Sequence, residues 1–229
     1  MTPNGDLPSN EKVAKVLLVD DHPIVRQGLA QLLDQSSDLK VCGEASSAQS
    51  ALEAIGRLQP DIVIVDILLK GENGIELIKK IKSHYGKLPV LVMSMYDESL
   101  YAERALRAGA RGYIMKEEAT DKMLIAIRKI MRGEIYLSEG MVSRILHRLA
   151  DGKGEVGTPL DRLSDRELEV FQLIGEGLGT RQIAERLSVS VKTIESYRAH
   201  IKDKLELDNS NDVVRQAIQW VQNGGVSEQ

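Results

Sequence analysis

What most limits the folds open to this chain is a junction repeated along its first half. A short apolar run stops at a polar residue, and helical spacing follows. Val16-Leu17-Leu18-Val19 stops at Asp20 and Asp21, and Ile62-Val63-Ile64-Val65 stops at Asp66. Val90-Leu91-Val92-Met93 stops at Ser94, and Gly112-Tyr113-Ile114-Met115 stops at Lys116. Residues 40–44 read as one further strand, second in chain order. Pro23 sits where a first helical turn tolerates proline, with Ile24, Leu29, Leu32 and Leu33 at helical spacing behind it. Further helices are predicted over 48–58, after Gly74 through Ile75, Leu77, Ile78 and Ile81, over 99–108, and to about Arg132 with Thr120 as cap. Near-continuous apolar strands alternating with helices predict a parallel sheet covered on both faces.

The second half carries no strand signal. Residues 138–149 read as a bridging helix and 151–161 as a glycine-rich linker. Helices are predicted over 164–176, 180–187, 191–205 and 211–222, the first opened by a capping box of Ser164 and Glu167. The expected division is a disordered lead over 1–12, an α/β domain over 13–133, a bridge over 134–160 and a helical domain over 161–229. Residues 152–157 match G-x-G-x-x-G, but a helical pattern precedes them and Thr158-Pro159 follows, so they read as linker and not as a dinucleotide site.

Composition excludes several classes. A net charge of −4 rules out a globally basic nucleic-acid coat, so any DNA contact must be a local patch. The single cysteine, Cys42, rules out a disulfide framework and a thiolate zinc cage. Aromatic residues at 3% argue against a base-stacking platform. No apolar stretch approaches the ~18 residues of a membrane span. The start lacks the apolar core of a signal peptide, so the expected location is the cytoplasm.

In an open parallel sheet, ligands bind at the carboxyl ends of the strands, where the strand order reverses. Asp20, Asp21, Asp66, Ser94 and Lys116 all fall at such ends and should converge. Three neighbouring carboxylates repel one another and call for neutralisation. A hard divalent cation such as Mg²⁺ does this with oxygen ligands and keeps waters for an incoming phosphate. Lys116 adds a charge to grip a phosphoryl oxygen and Ser94 adds a hydroxyl. The set reads as a holder for a phosphoryl group on Asp66.

Residues 15 to about 133 resemble the receiver domain of two-component response regulators, in Val19-Asp20-Asp21-His22-Pro23, Val65-Asp66, Gly74, Ser94 and Gly112-Tyr113-Ile114-Met115-Lys116. The resemblance implies a flavodoxin-like, doubly wound (βα)5 sheet and implies that Asp66 takes a phosphoryl group from a phosphohistidine of a sensor histidine kinase. By the same resemblance Asp21, Asp66 and the Leu68 carbonyl would hold Mg²⁺ directly, with Asp20 acting mainly through water. Ser94 and Lys116 would contact the phosphoryl oxygens, and Tyr113 would be the switch aromatic. Receivers usually carry Met-Pro three and four residues after the acceptor; here Leu69 and Lys70 stand there.

In the second half, a turn at Ser188-Val189-Ser190 separates residues 180–187 from 191–205, the spacing of a helix-turn-helix. From Arg186 to Lys204 five cations face two anions, within a half that is acidic as a whole. Residues 161 to about 222 resemble the LuxR-type helix-turn-helix of the NarL/FixJ class, in Leu163-Ser164-Asp165-Arg166-Glu167-Leu168-Glu169-Val170, Gly177, Ile183-Ala184, Val191-Lys192-Thr193-Ile194-Glu195-Ser196-Tyr197-Arg198 and Lys204-Leu205. By that similarity Lys192, Thr193, Tyr197 and Arg198 would mainly hold phosphates of double-stranded DNA, while Glu195, Ser196 and Ala199 face the bases; Lys202 completes the expected DNA-binding set. The last helix would pair two subunits into a homodimer on a palindromic site.

The expected function is a transcriptional regulator, not an enzyme, whose phosphorylation at Asp66 shifts the receiver toward a state that frees or dimerises the DNA-binding domain. RNA polymerase is a further expected partner and a membrane is not. Two competing readings are an aspartate-nucleophile phosphatase, which lacks a second acid because Leu68 occupies its position, and a phosphorylation-independent regulator with a vestigial receiver.

Overall fold

Strand β1 (Ala14–Val19) lies between β2 (Leu39–Ala45) and β3 (Ile62–Val65), and the chain order reverses about it. Beyond β3 come β6 (Val90–Ser94) and β7 (Gly112–Met115), giving the order β2-β1-β3-β6-β7 with every neighbouring pair parallel. The structure is a computed structural model that describes residues 13–69, 71–150 and 159–222. The expected disordered lead over 1–12, the G-x-G-x-x-G segment and Lys70 lie outside the described residues.

Side chains alternate across the sheet, and both faces are apolar because helices cover both. Val16, Leu18, Ile62, Ile64, Leu91, Met93 and Ile114 pack on one face with α1 (Pro23–Asp34) and α5 (Ala119–Met131). Leu17, Val19, Val63, Val65, Val90 and Val92 pack on the other with α2 (Ala48–Leu58), α3 (Gly74–His84) and α4 (Glu98–Ala108). Each such side chain removed from water is worth roughly 1.5–3 kcal/mol. The five expected strands and five expected helices are all present. Thr120 is not the cap of α5: a 3-10 turn over Lys116–Glu118 runs directly into the helix, which starts at Ala119, so Thr120 lies inside its first turn.

The sequence reading missed a two-stranded antiparallel hairpin, β4 (Leu68–Leu69) with β5 (Glu72–Asn73), between Asp66 and α3. Gly71 turns it with φ 85°, a conformation that glycine adopts freely. After α5 the chain returns along β7, with Tyr113 N–H donating to the Tyr136 carbonyl (3.0 Å) and Tyr136 N–H to that of Arg111 (2.9 Å). This covers the strand edge that β7 would otherwise leave open. Helix α6 (Glu139–Ala150) follows and buries Met141.

The second domain packs α7 (Asp165–Gly175), α8 (Thr180–Arg186), α9 (Val191–Lys204) and α10 (Ser210–Gln222) around Leu168, Phe171, Ile183, Ile194, Ile201, Val213 and Ala217. The Ser164–Glu167 capping box is formed. Trp220 packs in this core beside Phe171, with ring centroids 6.1 Å apart. The apolar cluster of the α2–α4 face continues into this domain, so the two domains are in contact.

Two glycines give opposite expectations. A Cβ at Gly74 would lie 2.2 Å from the Asp66 carbonyl oxygen, whereas one at Gly28, mid-helix in α1, meets nothing within 4 Å. Gly74→Ala should lower stability by at least about 2 kcal/mol, and Gly28→Ala should raise it by about 0.5–1 kcal/mol. Urea unfolding midpoints at unchanged m-value read both.

Candidate functional site

Asp20 and Asp66 end adjacent parallel strands, and the Asp66 N–H donates to the Val19 carbonyl at 2.8 Å, so the two carboxylates rise side by side. Both are buried, at 1% and 2% exposure. Lys116, at the end of β7, sends Nζ between them and reaches Asp20 Oδ2 and Asp66 Oδ2 at 2.7 Å each. Asp20 Oδ1 accepts the His22 N–H at 2.7 Å, and Asp66 Oδ1 accepts the Leu68 N–H at 3.3 Å. Burial lifts the Asp66 carboxyl to about 6; the Lys116 ammonium opposes the rise and Asp20 adds to it. Burial alone would lower the Lys116 ammonium, but Asp66 and Asp20 outweigh it and its pKa is raised.

Asp21 stands at the rim. Its Oδ1 is buried and makes no hydrogen bond, although His22 Nδ1 lies 2.8 Å away off the hydrogen-bond direction. One ligand atom from each of Asp20, Asp21, His22 and Asp66 fits within a 4.8 Å span. An acceptor oxygen left without a donor among three carboxylates fits a hard divalent cation.

Ser94 is buried at the end of β6, and its Oγ accepts the Tyr96 N–H at 3.1 Å. Tyr113 is also buried, and its hydroxyl donates to the Tyr96 carbonyl at 2.7 Å. Burial pushes its phenol far above its ordinary value. Tyr96 in turn stacks on Tyr101, centroids 5.0 Å apart. Asp20, Asp21, Asp66 and Lys116 therefore meet in one cleft, and Ser94 ends β6, the strand beside β3.

The second set lies on one helix. Ser190 caps α9 through the Thr193 N–H (3.0 Å), and Ile194 and Ile201 are buried beneath it. Lys192, Glu195, Ser196 and Ala199 are exposed, and Thr193, Tyr197, Arg198 and Lys202 are half-buried. The charge count along this stretch overstates the patch. Lys204 pairs with the buried Glu167 at 2.6 Å, and Arg186 lines a cleft beside Asp21 and His22. Burial would raise the Glu167 carboxyl, but Lys204 and the Ser164 cap outweigh it and hold it low.

Sequence reasoning missed the residues that join the domains. Asn73 Nδ2 donates to Glu169 Oε2 (2.9 Å), and Arg166 donates to the same oxygen (2.7 Å) and to the Gly71 carbonyl (2.9 Å). Arg104 donates to the carbonyls of Leu160 and Leu163 and to Asp165, which also pairs with Lys79. Burial raises the Glu169 carboxyl, against the opposing pull of Arg166. The only sequence signal was a charged residue on the inward stripe of a predicted helix.

A receiver-like α/β domain with a carboxylate cleft, followed by a helix-turn-helix, defines a response-regulator architecture. Residues 16–128 match the response regulator receiver domain, and residues 161–217 match the luxR family of bacterial regulatory proteins. The oxygen regulatory protein NreC of Staphylococcus carnosus (strain TM300) is 34% identical over 209 residues, 89% of this chain and 96% of the relative. NreC of Staphylococcus aureus (strain MRSA252) is 32% identical over the same shares. Among solved structures, RcsB of Salmonella typhimurium is 27% identical with a TM-score of 0.67, covering 91% of this chain and 98% of that one. RcsB of Salmonella enterica serovar Typhimurium bound to promoter DNA with the phosphomimetic BeF3− is 29% identical, with a TM-score of 0.64 over 91% and 100%. The chain belongs to the response regulators that join a receiver to a luxR-family DNA-binding domain. It is a phosphorylation-dependent two-component transcription regulator.

Lys116 is the keystone of the cleft. Lys116→Met should cost about 3 kcal/mol at neutral pH, because two buried carboxylates lose their cation. The folded Asp66 carboxyl already sits above its unfolded value, and removing Lys116 raises it further. The stability it contributes is present at low pH and lost as pH rises through the folded pKa, so the deficit of the variant should shrink by pH 5. Denaturant titrations at pH 5 and 7.5 check this.

Proposed function

We propose that Asp66 is the phosphoacceptor and that α9 is the DNA-reading helix. The observation that carries this is the convergence of Asp66, Asp20, Asp21 and Lys116 on one cleft, with Ser94 at the end of the strand beside β3. A carboxylate oxygen of Asp66 attacks the phosphorus of a kinase phosphohistidine. The new P–O bond forms as the P–N bond breaks, and the imidazole nitrogen keeps the electron pair and takes a proton. Lys116 turns from Asp66 to the phosphoryl oxygens, and the Ser94 hydroxyl donates to another. Asp21, Asp66 and the Leu68 carbonyl would hold Mg²⁺ directly, with Asp20 mainly through water; the ion supplies positive charge that offsets phosphoryl and carboxylate charge. Tyr113, already turned inward, couples the Ser94 loop to the start of α4 through Tyr96.

On DNA, Lys192, Thr193, Tyr197, Arg198 and Lys202 would hold phosphates while Glu195, Ser196 and Ala199 face base edges. Helix α10 would pair two copies on a palindromic site. The structure of two RcsB dimers on two parallel DNAs shows that relative as a dimer. Among the described residues no helix is long and apolar enough to cross a membrane. We place the protein in the cytoplasm because its proposed substrate, a kinase phosphohistidine, and its proposed target, DNA, meet there.

Intact mass after incubation with acetyl phosphate and Mg²⁺ should show one added phosphoryl group on the parent and none on Asp66→Asn. A second phosphoacceptor would appear as equal labelling of both. Protons and Mg²⁺ compete for Asp66, whose carboxyl sits at about 6 without metal. Calorimetric Mg²⁺ affinity should therefore rise several-fold between pH 5.5 and 7.5, and a flat profile would remove Asp66 from the ligand set.

A further inference from the structure

Asp20 has no polar atom to spare. Its N–H donates to the Ala45 carbonyl at 3.1 Å, its Oδ1 accepts the His22 N–H at 2.7 Å, and its Oδ2 accepts from Lys116 Nζ at 2.7 Å. Its main-chain carbonyl is taken as well, by the guanidinium of Arg26 on α1 at 2.5 Å. The neighbouring Asp21 is the opposite case, because its Oδ1 is buried and makes no hydrogen bond. The turn from β1 to α1 thus commits one aspartate completely and leaves an acceptor of the next one open.

Arg26 makes a second contact. Its Nε donates at 2.8 Å to Oε2 of Glu44, the β2 residue before Ala45, which holds the Asp20 N–H. The Arg26 side chain is only 15% exposed. Its two nitrogens hold two acceptors at once, which the planar fork of arginine allows and the single nitrogen of lysine does not. Glu44 offsets the positive charge, so Arg26 acts on the turn through geometry more than through its field. Both peptides that flank the Asp20 α-carbon are therefore held, the one before it by Ala45 and the one after it by Arg26. The second joins Asp20 to Asp21. A peptide is a rigid plane, so fixing it sets the direction in which the Asp21 side chain leaves the backbone.

We propose that Arg26 is a positioning residue for the divalent cation: by fixing the peptide between Asp20 and Asp21 it holds the Asp21 carboxylate where the ion needs it, touching neither the ion nor the phosphoryl group. Groups that orient metal ligands in this way set affinity by about 10–100-fold. The proposal rests on the reading of Asp21 as a Mg²⁺ ligand, and the test separates the two.

Calorimetric Mg²⁺ titration of the full chain at pH 7.5 reads the effect. Arg26→Ala should weaken binding roughly tenfold. Arg26→Lys, which keeps one donor, should fall between that variant and the parent. Arg128→Ala removes an ion pair to Asp38, whose carbonyl accepts the Ala14 N–H at the opposite end of β1, and should keep the parent affinity. With acetyl phosphate as donor and intact mass as readout, Arg26→Ala should be labelled slowly at limiting Mg²⁺ and at the parent rate once Mg²⁺ saturates. Parent affinity in either Arg26 variant, or an equal loss in Arg128→Ala, overturns the positioning role. A labelling deficit that persists at saturating Mg²⁺ overturns it too. Parent affinity in Asp21→Ala overturns the ligand assignment and the positioning role with it. Loss of binding in Asp21→Ala with none in Arg26→Ala leaves the metal site standing and removes Arg26 from it.

Discussion

Everything in the receiver is arranged around a buried ammonium between two buried carboxylates. Lys116 touches Asp20 and Asp66 at equal distance. Two carboxylates taken out of water at this separation repel strongly and call for a cation between them. The sheet makes the arrangement possible by ending β1, β3 and β7 at the same edge, and the apolar strands behind them supply the stability that the charged edge lacks. Because a single cation serves two anions, the cleft is left negative once Asp21 is counted. That residual charge makes it receptive to a divalent ion, and through the ion to a phosphoryl group.

The contact between the domains is of another kind. It contains apolar packing, but its centre is polar: Asn73, Glu169, Arg166, Arg104 and Asp165. The hydroxyls of Tyr96 and Tyr101, Arg104 Nε, Glu169 Oε1 and Gln172 Oε1 are buried without a hydrogen bond. Each such atom costs roughly 1–3 kcal/mol. Such atoms oppose the apolar burial around them, so this contact is held less tightly than an apolar one of the same size.

The legible parts of the fold were those set by local pattern. The five strands followed from β-branched and leucine-rich runs, and the cleft followed from the polar residue ending four of them, because a parallel sheet must bring those ends to one edge. The capping box at Ser164 was equally local. Thr120 misled because a 3-10 turn supplies the entry to α5, and turns of that kind leave no periodicity. The β4–β5 hairpin has two residues per strand, too short for any alternation to register. The burial of Glu169 is decided by the docking of a second domain, which no local window reports. The cationic count from Arg186 to Lys204 overstates the patch for the same reason: Lys204 is paired with Glu167, a partner distant in sequence.

The acceptor loop serves the cleft, the next helix and the second domain at once. It must cradle the acceptor aspartate, present the Leu68 backbone, turn through Gly71 and cap α3, all within nine residues. Asn73 closes the circuit because an amide is both acceptor and donor: the acceptor half belongs to the receiver and the donor half to the DNA-binding domain. The loop that follows the acceptor and the DNA-binding domain thus share one side chain.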